Sequence, residues 1–174
     1  DSYTRERHPP TARALKTTMA QTALNRGDDR SAAARDALGA LFKIPAARRQ
    51  MAGELSGLDI AYDLGGTHPL VGRRVPDRDL VVDGEPRRLF SYLHDGRGLL
   101  VSLSSTAPPI DGWRDRVDVV VGSSAGAWTL PVIGDVEAPT ALLVRPDGHV
   151  AWVGDVSGDG DLETALTTWF GPAR

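Results

Sequence analysis

Residues 136–153 read VEAPTALLVRPDGHVAWV, and this stretch decides the fold. An apolar run of strand length, 140–144, leads into Arg145-Pro146-Asp147-Gly148. Residues 149–153 follow, with a hydrophobic period close to two. Proline presets φ at the second position of a tight turn, and Asp-Gly tolerates positive φ. A connection this short makes the two strands an antiparallel hairpin. Ahead of it, Ala138-Pro139-Thr140 places a proline at the mouth of the first strand. Proline is accepted at a strand start and is the residue at which a cis peptide costs little. Beyond the hairpin, residues 161–170 read DLETALTTWF. Leu162, Ala165, Leu166, Trp169 and Phe170 share one helical face, and Gly171-Pro172 stops the helix.

A Pro-Thr dipeptide, a hairpin and a closing helix resemble the C-terminal half of the thioredoxin fold, where that proline is usually cis. The expected class is therefore α/β, with a thioredoxin-like domain. Upstream, 99–103 is a near-continuous apolar strand of the kind buried on both faces, and 117–121 is the next strand. Residues 80–82 and 86–89 flank Asp83-Gly84, a strong hairpin turn. Residues 89–94 fit a short helix, with Leu89, Phe90 and Leu93 on one face. Strand, short helix and buried strand read as a right-handed βαβ unit. Residues 112–116 fit one helical turn, and 104–111 and 123–129 are expected to be loops.

Gly65-Gly66 breaks the pattern, and a domain boundary is expected there: a helical segment over 1–64 and the thioredoxin-like domain over 65–174. Within the first, residues 11–25 carry Ala12, Leu15, Met19 and Ala23 at three- and four-residue steps. Residues 31–42 form a second helix, and Pro45 opens a third that reaches Leu55. Residues 1–10, ending in Pro9-Pro10, read as a short helical tail or a loop. These apolar stripes are too thin for a self-sufficient core, so they must pack on the following domain or on one absent from the chain.

The chain has 174 residues, 41% hydrophobic and 25% charged, which is room for one ordinary domain and an appendage. A net charge of −3 with only Arg73-Arg74 and Arg87-Arg88 as basic clusters argues against nucleic acid. No apolar run reaches membrane-spanning length, and no signal-peptide pattern is present. The absence of cysteine removes disulfides and thiol chemistry together and favours a cytoplasmic setting.

The Cys-x-x-Cys position of a thioredoxin holds Ser104-Ser105-Thr106-Ala107-Pro108-Pro109, and a neutral hydroxyl needs a base to become a nucleophile. Gly122-Ser123-Ser124-Ala125-Gly126 approaches a Gly-x-Ser-x-Gly elbow but is displaced by one residue. His8, His68, His94 and His149 are scattered singly. Asp155, Asp159 and Asp161 suggest a calcium loop, but its closing glutamate would fall at Leu166; a turn in which Asp159 or Asp161 caps the last helix fits better. No Gly-x-Gly-x-x-Gly follows a strand. No catalytic, cofactor-binding or metal-binding residue is expected in this chain.

A wider resemblance covers essentially the whole chain. Tyr3, Glu6-Arg7 and Pro9, with a helix ending in Ala20-Gln21, resemble the end of the flavin domain of FAD-dependent aromatic hydroxylases. The group is that of p-hydroxybenzoate hydroxylase, in particular actinobacterial polyketide hydroxylases acting on anthracyclines and angucyclines. Met51-Ala52-Gly53-Glu54-Leu55-Ser56-Gly57-Leu58-Asp59-Ile60-Ala61-Tyr62 is similar to the helix and linker that follow. His68-Pro69-Leu70-Val71-Gly72-Arg73-Arg74-Val75-Pro76-Asp77, Gly96-Arg97-Gly98, and Leu143-Val144-Arg145-Pro146-Asp147-Gly148-His149-Val150-Ala151-Trp152 resemble their C-terminal domain. That domain is thioredoxin-like and lacks the cysteine pair.

The family inserts one oxygen atom from O2 into an aromatic ring, using a flavin that NAD(P)H reduces. Its glycine fingerprint and its flavin-contacting Gly-Asp motif have no matching positions here, so no FAD or substrate residue carries over. The resemblance implies a C-terminal structural or oligomerisation region of such a monooxygenase, not catalytic by itself, a fragment that begins at Asp1 without a methionine. FAD and NAD(P)H would belong to the parent enzyme. The partners would be the missing N-terminal flavin and substrate domains, and a second copy in a homodimer. The competing expectation is a stand-alone, cysteine-free interaction module that binds through the loops at Pro139 and Ser104. A stand-alone module should cover Leu15 and Met19 within the chain, whereas a fragment should leave them exposed or capped by another copy.

Overall fold

In the computed structural model, which describes residues 2–155 and 160–174, the alanine-rich first third of the chain forms three helices. These are α1 (Tyr3–Leu24), α2 (Asp29–Leu41) and α3 (Pro45–Ser56). They belong to a first compact unit, Asp1–Ile60; the second is Ala61–Arg174. Helix α1 begins well before residue 11 and runs through Pro9 and Pro10. Each proline removes a donor and crowds the carbonyl four residues back, yet the φ it imposes is helical and the helix continues past the pair. The Asp28 side chain caps α2 by accepting from the Ser31 N–H at 2.9 Å. Pro45 opens α3, and Gly57, at φ 72°, closes it. The α1–α3 links are polar: Arg13 donates to Asp59 at 2.8 Å and Thr17 to Glu54 at 2.6 Å.

The second unit takes in residues 61–64, ahead of Gly65-Gly66. Ala61 bridges to Arg73, and the Tyr62 N–H donates to the Gly72 carbonyl at 2.9 Å. Strands β1 (Asp79–Val82) and β2 (Glu85–Arg88) then pair antiparallel around Asp83-Gly84, whose φ values are 52° and 80°. A short 3-10 helix (Leu89–Leu93) leads to β3 (Gly98–Ser102), and another (Asp111–Trp113) precedes β4 (Val117–Val121). Next come β5 (Trp128–Leu130) and β6 (Gly134–Val136), then β7 (Ala141–Val144), β8 (Val150–Gly154) and α4 (Gly160–Phe170).

One four-stranded sheet has the order β4-β3-β7-β8. Strands β3 and β4 are parallel, β7 is antiparallel to β3, and β8 is antiparallel to β7. With the closing helix this is an α/β, thioredoxin-like domain preceded by helices, and it has no cysteine pair. Alternation along β3 splits the core in two. Leu99 and Val101 join Leu142, Val144, Val150 and Trp128 on one face. Leu100 joins Leu143, Trp152, Ile110, Trp113, Leu162 and Leu166 on the other.

Several expectations need correction. The first hairpin is not part of a βαβ unit: β1 and β2 form their own two-stranded sheet, because Asp83-Gly84 sends the chain straight back. The parallel pair is β3 with β4. Residues 123–129 are not simply a loop, since they lead into the β5–β6 hairpin, in which Trp128 is fully buried. Its strands are three residues long and separated by residues 131–133, too short for a period to register. No peptide among the described residues is cis, so Ala138-Pro139 is trans. Asp159 lies outside the described residues, and Asp161 sits in the first turn of α4.

The other end of α4 is held by side chains. Trp113 Nε1 donates to the Gly171 carbonyl at 2.7 Å. Arg116 donates to the carbonyls of Phe170, Gly112 and Pro172, placing a cation at the negative end of the helix. Gly98 lets α4 approach β3: a Cβ there would lie 2.3 Å from Phe170 Cε1. Gly98→Ala should lower unfolding stability by about 1–3 kcal/mol in urea titrations, and trimming Phe170 to Leu in the same chain should recover part of the loss. An unchanged midpoint would mean that the Phe170 ring simply moves aside.

Candidate functional site

At the end of β3, where the resemblance places redox cysteines, three hydroxyl-bearing residues are tied together. Ser102 is fully buried, and its hydroxyl donates to the Thr106 carbonyl. Ser104 Oγ lies 3.0 Å from Ser102 Oγ and also donates to Thr106, at 2.9 Å. The hydroxyl protons are thus spent on closing the loop, and no side-chain base contacts them there. The Leu103 N–H donates to the Thr140 carbonyl at 2.8 Å, which sets this loop beside the Pro139 segment. Ser123 is no nucleophile elbow either: its backbone pairs with Val81, while Ser124 Oγ donates to the Asp79 carbonyl.

The histidines are not brought together as a ligand set. His68 Nδ1 accepts from the Leu70 N–H at 3.2 Å, and His149 stacks at 4.6 Å on Tyr62. No group of three or more metal-ligating side chains occurs among the described residues. No helix of the structure is long and apolar enough to cross a membrane.

A buried charged cluster sits on the hairpin between β7 and β8. Arg145 is only 7% exposed. Its Nε donates to Asp147 Oδ1 at 3.1 Å and its Nη2 to Oδ2 at 2.5 Å, a forked ion pair. The guanidinium carbon lies 4.3 Å from the Trp169 ring centre and 5.6 Å from that of Tyr62. Backbone bonds shape the turn, with the Arg145 N–H to the His149 carbonyl at 2.8 Å and the Gly148 N–H to the Arg145 carbonyl at 2.9 Å. The segment around Gly72 laces along the edge of β8: Gly72 donates to Val150, and Val150 to Arg73.

Partial burial pushes the Asp147 carboxyl up, but the His149 imidazole, the Arg145 guanidinium and the His149 N–H outweigh it and hold it well below the usual range. From residue order, Arg145-Pro146-Asp147-Gly148 reads as a turn. An arginine two residues ahead of an aspartate in a tight turn was the available signal for a buried pair.

A flavin site would need backbone N–H groups at a glycine-bearing turn between a strand and a helix. Neither β3 nor β4 leads directly into a helix of that kind, and the turn between β8 and α4 lies outside the described residues. The space beside Gly98 is taken by Phe170, and that beside Gly122 by Val81 and Val82. The surroundings of Gly98 and Gly122 do not fit an FAD site, and no chemical step is assigned to them.

Sheet order, the closing helix and the sealed serine loop define the class: a thioredoxin-like domain without redox residues. Residues 68–173 match the family described as aromatic-ring hydroxylase, C-terminal, and the chain belongs to that family. It is 40% identical over 176 residues to the 12-dehydrotetracycline 5-monooxygenase/anhydrotetracycline 6-monooxygenase of Streptomyces rimosus, covering 99% of this chain and 34% of the relative. A rifampicin monooxygenase of Rhodococcus hoagii is 35% identical over 171 residues, with 98% and 32% covered. Among solved structures, OxyS anhydrotetracycline hydroxylase from Streptomyces rimosus superposes with a TM-score of 0.83 at 38% identity, covering 100% of this chain and 36% of the other. CabE, an aromatic hydroxylase from angucycline biosynthesis, superposes with a TM-score of 0.81 at 39% identity, over 100% and 36%. The chain spans about a third of the length of the curated relatives it matches.

The Arg145 cluster has a pH signature. Because the Asp147 carboxyl is depressed, the stability it contributes is fully present above the unfolded value of 3.8 and is lost as the pH falls from there toward its folded value. Asp147→Asn should cost about 1–3 kcal/mol at neutral pH, less than a fully buried pair because Asp147 is partly solvated. The gap between wild type and variant, read from denaturant curves, should narrow on acidification below that value. A gap that does not depend on pH would assign the loss to packing instead.

Proposed function

We propose that this chain serves as the C-terminal region of an FAD-dependent, NAD(P)H-using aromatic monooxygenase acting on a polyketide-type substrate. It is not catalytic by itself. In this reading residues 1–64 are the end of the flavin domain and its linker helices, and residues 65–174 are a structural or subunit-contact domain. FAD and NAD(P)H act in the parent enzyme, in the cytoplasm. One observation carries the reading: nearly the whole chain aligns with about a third of each monooxygenase it matches.

An antibody raised against this chain should detect, in its native source, a species well above 18.6 kDa that purifies yellow. Titration of FAD into the isolated chain should give no saturable binding. A native species at 18.6 kDa would point instead to a stand-alone interaction module. Tight FAD binding by the isolated chain would show that the flavin site had been misplaced.

A further inference from the structure

The four-stranded sheet ends in β8 on one side and in β4 on the other. The two edges differ. Along β8, residues 72–75 take up backbone groups: the Gly72 N–H donates to Val150, Val150 to Arg73, and Val75 to Gly148. At β4 the ladder to β3 is anchored at both ends, where the Gly98 N–H donates to Arg116 and the Gly122 N–H to Ser102. Successive residues of a strand aim their backbone groups at opposite neighbours. Asp118 and Val120 therefore face β3, and Val117, Val119 and Val121 turn their N–H and C=O groups away from it. The next outward residue, Ser123, is paired with Val81 of β1. The pairing stops there, because Asp83 and Gly84 turn β1 back on itself. Among the described residues no backbone bond takes the outward groups of Val117, Val119 or Val121.

Sheet edges are ordinarily blunted by proline, lysine, a bulge or a covering segment. Residues 117–121 read VDVVV, and their register with β3 is continuous. The one charge, Asp118, is engaged with Arg97 at 2.9 Å. Val121 and Val81 are 36% and 47% exposed beside the open edge. A row of unpaired donors and acceptors is matched by another extended strand. We propose that its occupant is β4 of a second copy of this chain, running antiparallel with the two-fold axis at Val119. The inference deepens the subunit-contact role given to residues 65–174 above and rests on that part of the reading. The choice of occupant follows from self-complementarity. With the axis at Val119, that residue meets its own counterpart, Val117 meets Val121, and Asp118 meets Val120. Every outward residue then faces a valine, and no like charges stand directly opposite each other.

The chain lacks cysteine, so one introduced thiol reports the register. Directly opposed, hydrogen-bonded residues of an antiparallel pair lie about 5.5 Å apart at Cα, within disulfide reach. Val119→Cys should therefore cross-link two copies under mild oxidation. Val121→Cys, which faces residue 117, should cross-link about tenfold more slowly or not at all. The unmodified 18.6 kDa chain should sediment as a dimer, with slow amide exchange at Val117, Val119 and Val121 that turns fast on dilution. Val119→Pro deletes the central pair of hydrogen bonds, although its N–H is unused within the chain. It should weaken the dimer on the order of tenfold or more and leave the fold of the dissociated chain intact. Val121→Lys keeps the backbone whole and should weaken the dimer likewise. A chain that stays monomeric, with fast exchange at these three amides, would overturn the pairing. So would a dimer that survives both substitutions, or equal cross-linking by the two cysteine variants. A long, yellow native monomer would overturn the pairing and leave the monooxygenase reading standing. A native 18.6 kDa dimer joined at Val119 would support the pairing and overturn that reading.

Discussion

The structure depends on one constraint, the burial of β3 on both faces. Every residue of this strand is buried. A strand without solvent must have its backbone donors and acceptors satisfied by neighbours, so β3 requires a strand on each side. Strand β4 supplies the parallel side and β7 the antiparallel one. Two separate apolar layers then become obligatory, one filled chiefly by Trp128 and the segments around Leu70 and Leu80, the other by α4 and Trp113. The close seat of Phe170 over Gly98 and the grip of Arg116 on the end of α4 both serve that second layer.

Much of this was legible from residue order. The central hairpin, the two-sided strand and the closing helix announced themselves because their signals are local: a Pro-Asp-Gly turn, a run of large apolar residues, a helical stripe stopped by Gly-Pro. The Asp83-Gly84 turn was equally plain, but its consequence was not. Whether a hairpin joins the main sheet is set by tertiary pairing, here a single bridge from Val81 to Ser123. Helix α1 passes through Pro9-Pro10 although proline costs a donor and crowds the preceding turn, its φ being compatible with the helix. The β5–β6 hairpin stayed hidden because three-residue strands carry no period, although a lone tryptophan among small residues was a sign of burial. At the hairpin cluster, sequence named Arg145 and Asp147 only as turn residues; their pairing under Trp169 and Tyr62 arises from segments far apart in the chain.

Membership of the aromatic-ring hydroxylase C-terminal family fits what the residues can and cannot do. The polar groups that are well placed, Arg145 with Asp147 and Arg97 with Asp118, are engaged with each other or with backbone carbonyls. Such engagement holds the shape of the domain. In α1 the polar side chains of Arg13 and Thr17 are engaged within the first unit, whereas Leu15 and Met19 are exposed.

The serine loop after β3 has a consequence for chemistry on this scaffold. Placing a Cys-x-x-Cys pair at residues 104–107 would not recover an oxidoreductase. A nucleophilic thiolate in that position draws its low pKa from the N-terminus of a helix, and here β3 runs into coil, with only the three-residue turn Asp111–Trp113 before β4. Position 104 is also turned inward on the Thr106 carbonyl. What this domain lacks beside the sulfur is therefore the electrostatic seat that makes sulfur reactive, so redox chemistry here would require building a helix and not merely exchanging two side chains.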